Sequence, residues 1–192
     1  MLKIKILALG LIVAALAVYP VHHHFWPPKV ATESVQQAVS TVKADSSKLA
    51  ATSQCVGKIK RTLVVSVSSQ HFWACANDVS VYDSAVITGK LKYDDSTPVG
   101  TYKIFSKLTN QDLKGCQPDG CWNDEVAYWL PYQQADGGTI GFHDASWRSN
   151  SNFGNIKPSS NKGSHGCVEL PNAAAKWLYS WASVGTTVII KA

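Results

Sequence analysis

Apolar and polar positions divide the chain into parts of different character. Residues 4–21 form a largely apolar run that begins after Lys3 and contains Lys5. Residues 29–54 are rich in Ala, Ser, Thr, Gln and Val and carry few large side chains. In the remainder, short β-branched and aromatic runs alternate with polar turns. The pattern predicts three parts: an apolar segment with its juxtamembrane stretch at 1–28, a stalk at 29–54 and a folded domain at 55–192.

The apolar run is close to the lower limit of ~17–25 residues that can span a bilayer as a helix. Its basic flank and the small residues Ala15 and Ala17 also fit a cleavable signal peptide. In both cases Lys3 and Lys5 hold the amino end inside the cell. We therefore expect an exported domain, either anchored in the membrane through residues 4–21 or secreted to the cell wall.

The folded part is predicted to be mainly β. β-branched and aromatic runs bounded by turns indicate strands, and they lie at 62–68, 72–75, 79–88, 101–105, 126–130, 139–143 and 186–191. One segment has apolar residues at i, i+3, i+4 and i+7: Ala174, Trp177, Leu178 and Trp181. Asn172 precedes it as a candidate N-cap. The expectation is a mainly β domain with one main packed helix, preceded by an apolar helix and a stalk.

Charge excludes one class of function. The formal net charge is +5, of which +3 falls in residues 1–54 and +2 in residues 55–192. The folded domain is therefore nearly neutral, and it has no basic stripe that would indicate a nucleic-acid partner.

The five cysteines fit an exported protein with one free thiol. Cys116 and Cys121 bracket a turn sequence, and Cys55 and Cys75 flank a predicted hairpin. Spacing alone permits several pairings. We expect the bridges Cys55–Cys75 and Cys116–Cys121, which leave Cys167 free. No CxxC pair supports a zinc site built from the same residues, so no metal is expected.

Cys167 ends the run Ser164-His165-Gly166-Cys167, and His143 lies upstream. A thiol with an ordinary pKa of ~8.5 needs a nearby imidazolium or backbone N–H groups to become a thiolate. If the run is extended, His165 and Cys167 point the same way, and the amides of Gly166 and Cys167 can hold an oxyanion. The residues predict a cysteine–histidine ion pair formed before substrate binds. They leave open which histidine is the base, and whether Cys167 is instead a buried, inert thiol.

These motifs resemble a known family. The segments Gly163-Ser164-His165-Gly166-Cys167-Val168 and His143-Asp144-Ala145-Ser146-Trp147-Arg148 resemble the signature of the L,D-transpeptidases (the YkuD domain). Thr97-Pro98-Val99-Gly100-Thr101-Tyr102 resembles a second hallmark of that family, and the resemblance covers about residues 58–191. It implies a β-sandwich-like catalytic domain that needs no metal or organic cofactor. It also implies a cysteine-dependent acyl transfer on peptidoglycan stem peptides and acylation by carbapenems.

Residue roles follow from the resemblance alone. Cys167 is implied as the nucleophile and His143 as its base, with the imidazole oriented by the backbone carbonyl of Asp144. His165 and Gly166 are implied to line the oxyanion side. The implied substrate-binding residues are Trp147, in a flap over the groove, together with Arg148, Ser164 and Glu169. Glu169 departs from the Asn or Arg usual at its position, and a carboxylate there raises the pKa of a nearby thiol.

The predicted reaction is release of D-Ala from a tetrapeptide stem, formation of a thioester and transfer of the acyl group to an amine of another stem, giving a 3→3 cross-link. Two alternatives remain open. Water in place of the amine makes the protein an L,D-carboxypeptidase or endopeptidase. A domain that keeps the fold without turnover is a cell-wall-binding module.

Overall fold

The computed structural model describes residues 53–118, 120–135 and 137–192. The predicted apolar segment and nearly all of the predicted stalk lie outside these residues. Within the described ranges, no helix is long and apolar enough to cross a bilayer.

The described chain forms nine strands and a ten-residue α-helix. Seven of the strands overlap the predicted ones, whereas the strands at Leu108–Gln117 and Val168–Leu170 were not predicted. The elements are β1 (Thr62–Ser66), β2 (His71–Ala76), β3 (Val79–Ala85), β4 (Gly100–Lys103), β5 (Leu108–Gln117), β6 (Gly120–Ala135), β7 (Gly138–Asp144), β8 (Val168–Leu170), α1 (Asn172–Trp181) and β9 (Thr187–Lys191). Single 3-10 turns lie at Lys92–Asp94 and Asn150–Asn152. The predicted mainly β domain with one main helix is confirmed.

A five-stranded sheet has the order β3-β2-β1-β9-β4. Its central strand β1 is buried from Thr62 to Val65, because both of its faces are covered. β1 pairs in parallel with β9, with Thr62 opposite Thr187, so the last strand of the domain closes beside the first. Parallel neighbours need a long connection, and here that connection contains the second sheet and α1.

A four-stranded sheet has the order β5-β6-β7-β8. β6 is long because only its second half belongs to the core. Residues 126 and 129–132 are buried, whereas residues 120–125 alternate between exposed and half-buried. β5 and the first half of β6 therefore form a polar hairpin that stands out from the sheet. β7 and β8 are parallel, with His143 opposite Glu169.

The main core lies between the two sheets, where buried apolar residues from both meet. α1 closes the core over the four-stranded sheet and buries Ala174, Ala175 and Leu178. Trp177 and Trp181 are only partly buried at its edge, where their rings stack with centroids 5.4 Å apart. The expected N-cap is wrong by one residue: Asn172 is the first helical residue, and Pro171 precedes it without a side-chain cap.

Both expected disulfides are present, and Cys167 is free. Cys55–Cys75 is fully buried in a small cluster with Val64, on the face of the five-stranded sheet that turns away from the main core. Cys116–Cys121 joins β5 to β6 near the tip of the polar hairpin. One bridge thus fixes the start of the domain, and the other fixes the end of its most exposed element.

Candidate active site

A cleft of about 640 Å³ lies between the polar hairpin and the edge where β7 meets β8. The hairpin forms one wall, with Trp122 and Asp124 among its lining residues. The opposite wall contains His143 and the segment 164–167. The structure thus brings the predicted nucleophile and both candidate histidines to one cavity.

Cys167 lies in a bend immediately before β8, so the expected extended conformation of 164–168 is wrong. Gly166 has φ +108°, a left-handed region that glycine occupies without strain. The thiol of Cys167 points toward the backbone carbonyl of Thr139 on β7, 4.0 Å away. The bend therefore turns the sulfur of Cys167 toward β7. Cys167 and His165 do not share one face of an extended strand.

The loop that carries Cys167 is clamped by the segment 87–90. Ile87 exchanges both backbone hydrogen bonds with Glu169, at 3.0 and 2.9 Å. The N–H of Ser164 donates to the carbonyl of Thr88, and the N–H of Lys90 donates to the carbonyl of Ser164, both at 3.1 Å. The loop is thus held by backbone hydrogen bonds on both sides of the cysteine.

Thr97, the first residue of the Thr-Pro-x-Gly motif, completes this clamp. Its hydroxyl donates to the carbonyl of Gly166 and accepts from the N–H of Gly89, both at 2.8 Å. Three backbone segments meet so closely here that a Cβ on Gly89 would lie 2.9 Å from the Cα of Gly166. The motif therefore has a physical role in fixing the backbone next to the nucleophile.

His143 lies at the end of β7 and is 4% exposed. Its Nδ1 is 2.8 Å from the backbone carbonyl of Asp144. A carbonyl only accepts hydrogen bonds, so Nδ1 carries the proton and Nε2 is left as the basic nitrogen. The carboxylate of Asp144 accepts a hydrogen bond from the N–H of Tyr128 at 2.8 Å, which fixes this turn against β6.

Two tryptophans flank His143. Trp129 is buried, with its ring centroid 5.8 Å from the imidazole. Trp147 is 43% exposed and lies over the imidazole at 6.0 Å with the rings 28° apart. His143 is therefore screened from water on two sides, while Trp147 offers a free aromatic surface at the mouth of the site.

Burial raises the pKa of the Cys167 thiol to about 12, and the negative charges of Glu169 and Asp124 add to the effect. A backbone hydrogen bond from Gly141 acts in the opposite direction but does not offset it. A raised pKa favours the thiol over the thiolate near neutral pH, which argues against the expected ion pair formed before substrate binds. The thiol proton must pass to a base as the sulfur attacks.

Arg148 and Glu169 bind one another in the wall behind the cysteine. Nε and a terminal nitrogen of Arg148 donate to the two carboxylate oxygens of Glu169 at 2.9 and 3.0 Å. Another terminal nitrogen donates to the carbonyl of Lys162 at 3.0 Å. Glu169 is 4% exposed, so this paired arrangement offsets the charge of a buried carboxylate. Glu169, which stands where Asn or Arg is usual, is therefore paired with Arg148 of the same chain.

His165 packs its ring on Trp122 of the hairpin, with centroids 3.8 Å apart and planes 4° apart. Burial lowers the pKa of His165, and the positive charge of Lys90 lowers it further. The neutral imidazole of His165 thus packs on Trp122 in the opposite wall of the cleft, and this contact links the cysteine loop to the hairpin. Since the tautomer of His143 leaves its Nε2 free, the geometry favours His143 over His165 as the base.

The oxyanion donors differ from those expected. The N–H of Gly166 donates to the hydroxyl of Ser164 at 3.2 Å, and that hydroxyl donates in turn to the carbonyl of Cys167. The Gly166 amide is therefore already engaged. Tyr132 has a buried hydroxyl with no hydrogen-bond partner among the described residues, and the charge of Cys167 is one cause of its raised pKa. The charge of Cys167 thus reaches this phenol, but Tyr132 does not line the cleft.

Sequence analysis did not identify three of the lining residues, Trp122, Asp124 and Trp129, as part of the site. The predicted strand at 126–130 covered only Trp129. Residues 120–125 show no alternation of apolar and polar side chains that would have extended this strand, so the face shared by Trp122 and Asp124 is visible only in the structure.

The chain is similar to known proteins at the level of family and fold. Residues 60–190 match the family model described as the L,D-transpeptidase catalytic domain, YkuD. No curated protein sequence matches the chain.

Solved structures from Enterococcus faecium are similar in fold. A crystal structure of a cysteine-to-serine mutant of its L,D-transpeptidase has 25% identity and a TM-score of 0.59, with 68% of this chain and 49% of that chain covered. The NMR structure of its catalytic domain has 27% identity and a TM-score of 0.58, with 69% and 97% covered. The same domain acylated by ertapenem has 27% identity and a TM-score of 0.56, with 68% and 95% covered.

The chain thus spans about half the length of the crystallised mutant and nearly all of the isolated catalytic domain. The family match covers more than half of the chain and includes the cleft, the Thr97 motif and the Cys167 loop. This protein belongs to the L,D-transpeptidase catalytic domain (YkuD) family.

Proposed function

We propose that the protein is a cysteine-dependent L,D-transpeptidase that acts on peptidoglycan stem peptides. The observation that carries the proposal is that adjacent parallel strands bring Cys167 and His143 to one cleft, with Nδ1 of His143 committed to a backbone carbonyl. An imidazole and a thiol in one cleft fit acyl transfer by a nucleophile with a histidine base. Membership of the family supports the same reaction class.

The first half-reaction starts from the thiol. As Cys167 Sγ attacks the carbonyl carbon that joins the third stem residue to the terminal D-Ala, its proton passes to Nε2 of His143. The negative charge that develops on the carbonyl oxygen is stabilised by the backbone N–H of Cys167. When the C–N bond breaks, His143 returns the proton to the nitrogen of D-Ala, and a thioester remains on Cys167.

The second half-reaction uses an amine of another stem. The amine attacks the thioester carbonyl and loses a proton to His143. The C–S bond then breaks, and the proton returns to the sulfur. The product is an amide cross-link, and the thiol is regenerated. The reaction needs no group that the chain itself does not provide.

We also propose that the domain works outside the cytoplasmic membrane, held or exported by residues 4–21. The two disulfides support this location, because such bonds persist in oxidising compartments. Fractionation of expressing cells, followed by alkaline washing of the membranes, distinguishes an anchored protein from a secreted one.

The reaction is tested with a carbapenem and intact-mass measurement. We expect one covalent adduct on the wild-type protein and none on Cys167→Ala. The E. faecium catalytic domain solved as an ertapenem acyl-enzyme makes this class a suitable probe. Absence of an adduct on the wild type contradicts the proposal and favours a wall-binding module.

Stem tetrapeptides then separate transferase from hydrolase. We expect a 3→3-linked dimer from wild type and no product from His143→Ala. Tripeptide as the sole product replaces the proposed function with L,D-carboxypeptidase activity.

A further inference from the structure

One carboxylate in the cleft stands apart from its neighbours. Three of the five lining carboxylates are paired: Asp95 with Lys90 at 3.3 Å, Glu169 with Arg148 at 2.9 Å and Asp112 with Lys114 at 3.6 Å. A fourth, Asp94, is exposed at the rim. Asp124 is half-buried, and no described residue forms an ion pair or hydrogen bond with it. Among the five lining carboxylates, Asp124 alone is half-buried and without an ion-pair or hydrogen-bond partner in the described part of the chain.

Asp124 is fixed on a wall that faces the nucleophile. It lies two residues after Trp122 on β6, so both side chains are on the same face of the strand. Trp122 is stacked on His165, two residues before Cys167, which sets the position of this face against the cysteine loop. The disulfide Cys116–Cys121 joins β5 to β6 three residues before Asp124. The carboxylate is thus held in place although its own atoms are unpaired.

An unpaired carboxylate in this position works against the first half-reaction. Its charge is one of the causes of the raised pKa of Cys167. Glu169 contributes more than Asp124 to this rise, but its carboxylate is already paired with the guanidinium of Arg148. Such an unfavourable charge is relieved when a cation occupies the cleft. A metal ion is a poor candidate, because the described residues contain no group of three or more acidic, His or Cys ligands.

We propose that Asp124 binds the ammonium group of the acceptor stem peptide, and so selects an amine over water for the second half-reaction. The inference deepens the proposed function and rests on it. A primary amine has a pKa of ~10.4 and enters the cleft as a cation. Once the thioester has formed, the sulfur carries no charge, and Asp124 no longer opposes any step. It then attracts the acceptor to the side of the thioester.

The protons balance for an ammonium acceptor. One proton of the bound ammonium passes to Nε2 of His143, and the free amine attacks the thioester carbonyl. His143 gives that proton to the departing sulfur of Cys167, while the second proton of the new C–N nitrogen leaves to solvent. The products are an amide, a thiol and one released proton.

The first test uses Asp124→Asn, with Asp112→Asn as the matched control from the same cleft. Each protein is acylated with a tetrapeptide whose own side-chain amine is acetylated, and the thioester is then offered an amine-bearing stem peptide in water. For Asp124→Asn we expect the ratio of amine transfer to hydrolysis to fall about tenfold, the change that a lost interaction of ~1.4 kcal/mol produces. Asp112→Asn should keep the wild-type ratio. An unchanged ratio in Asp124→Asn overturns the inference.

The second test needs no turnover. The rate of Cys167 alkylation by iodoacetamide, which rises as the pKa of the thiol falls, is measured from about pH 7 to 9, where the amine is still a cation. It is measured for the protein alone, with the amine-bearing peptide, and with the same peptide acetylated on that amine. In the wild type only the free amine should lower the pKa of Cys167, and in Asp124→Asn neither peptide should. A shift with the acetylated peptide, or an equal shift in both proteins, overturns the inference. If no thioester forms at all, the proposed function fails, and this measurement still decides whether Asp124 binds an ammonium group.

Discussion

Both faces of β1, the central strand of the five-stranded sheet, are covered by other residues. In the four-stranded sheet, β5 and the first half of β6 form a hairpin that has no core beneath it. In β1, Leu63 and Val65 face the main core, and Val64 faces the Cys55–Cys75 cluster. In residues 111–117 of β5 and 121–125 of β6, every second residue is exposed and the others are only half-buried. The hairpin nevertheless supplies a full wall of the cleft.

The difference separates the residues that stabilise the domain from those that shape its site. Apolar burial between the sheets supplies the stability. The hairpin is held at a few points instead, by its disulfide, by Trp122 on His165, and by a hydrogen bond from Gln117 to Asp95. Changes in the core should therefore unfold the protein, and changes in the hairpin should alter its chemistry with little loss of stability.

The largest effect is expected from Phe142→Ala. Phe142 is fully buried between the sheets, with its ring centroid 5.3 Å from that of Tyr132 and 6.5 Å from that of Phe72. Removing it leaves a cavity, so the free energy of unfolding should fall by about 3–5 kcal/mol. Urea denaturation followed by circular dichroism measures this. A loss below about 1 kcal/mol would show that the core is not where the stability lies.

A slightly smaller effect is expected from Arg148→Ala. The change leaves the carboxylate of Glu169 buried without its partner, which should lower the free energy of unfolding by about 3 kcal/mol. Arg148→Ala combined with Glu169→Gln should recover part of this loss, because the remaining side chain is neutral. Urea denaturation of both variants checks the prediction, and no recovery in the double variant would contradict the charge argument.

Trp122→Ala and Trp129→Ala compare two tryptophans of the same strand. Trp122 is half-buried on the hairpin, so its loss should reduce stability by about 1 kcal/mol or less and slow acyl transfer by freeing His165. Trp129 is 5% exposed, and its loss should reduce stability by about 3 kcal/mol. Thermal unfolding and peptide transfer assays on both variants test the contrast. Equal stability losses would remove the proposed distinction between core and hairpin.

The smallest expected effect is the pH dependence of Cys167 alkylation. Because the pKa of Cys167 is raised to about 12, alkylation should accelerate about tenfold per pH unit from pH 7 to 10 as the thiolate fraction grows. A rate that levels off near neutral pH would indicate a preformed ion pair. The pKa of Cys167 in the folded protein exceeds the ~8.5 of an unfolded cysteine. The protonated thiol therefore contributes to the free energy of unfolding below about pH 8.5, and this contribution is lost between that pH and about pH 12.

Sequence predicted the elements that follow local rules. Seven of the nine strands and the main helix could be predicted from side-chain patterns, whereas β5 and β8 could not. The turn between Cys116 and Cys121 favoured that bridge, although spacing alone left other pairings open. The position of Cys167 and His143 at one edge came from motif resemblance, since parallel pairing of β7 with β8 joins residues far apart in the chain.

Three features of the site could not be predicted, because each depends on tertiary contacts. The bend at Gly166 is imposed by Thr97 and by the clamp at 87–90. The raised pKa of Cys167 comes from burial that no single segment produces. The pairing of Arg148 with Glu169 joins two positions that sequence reasoning had assigned to the substrate.

The close approach of Gly89 to Gly166 has a consequence for redesign. Even a methyl group at position 89 would collide with the backbone that positions the nucleophile. Saturation libraries aimed at new acceptors should therefore keep Gly89 and diversify Ser96 and Pro98, which line the cleft on either side of Thr97. In a deep mutational scan, intolerance at position 89 would match that at the catalytic cysteine, although residue 89 never touches a substrate.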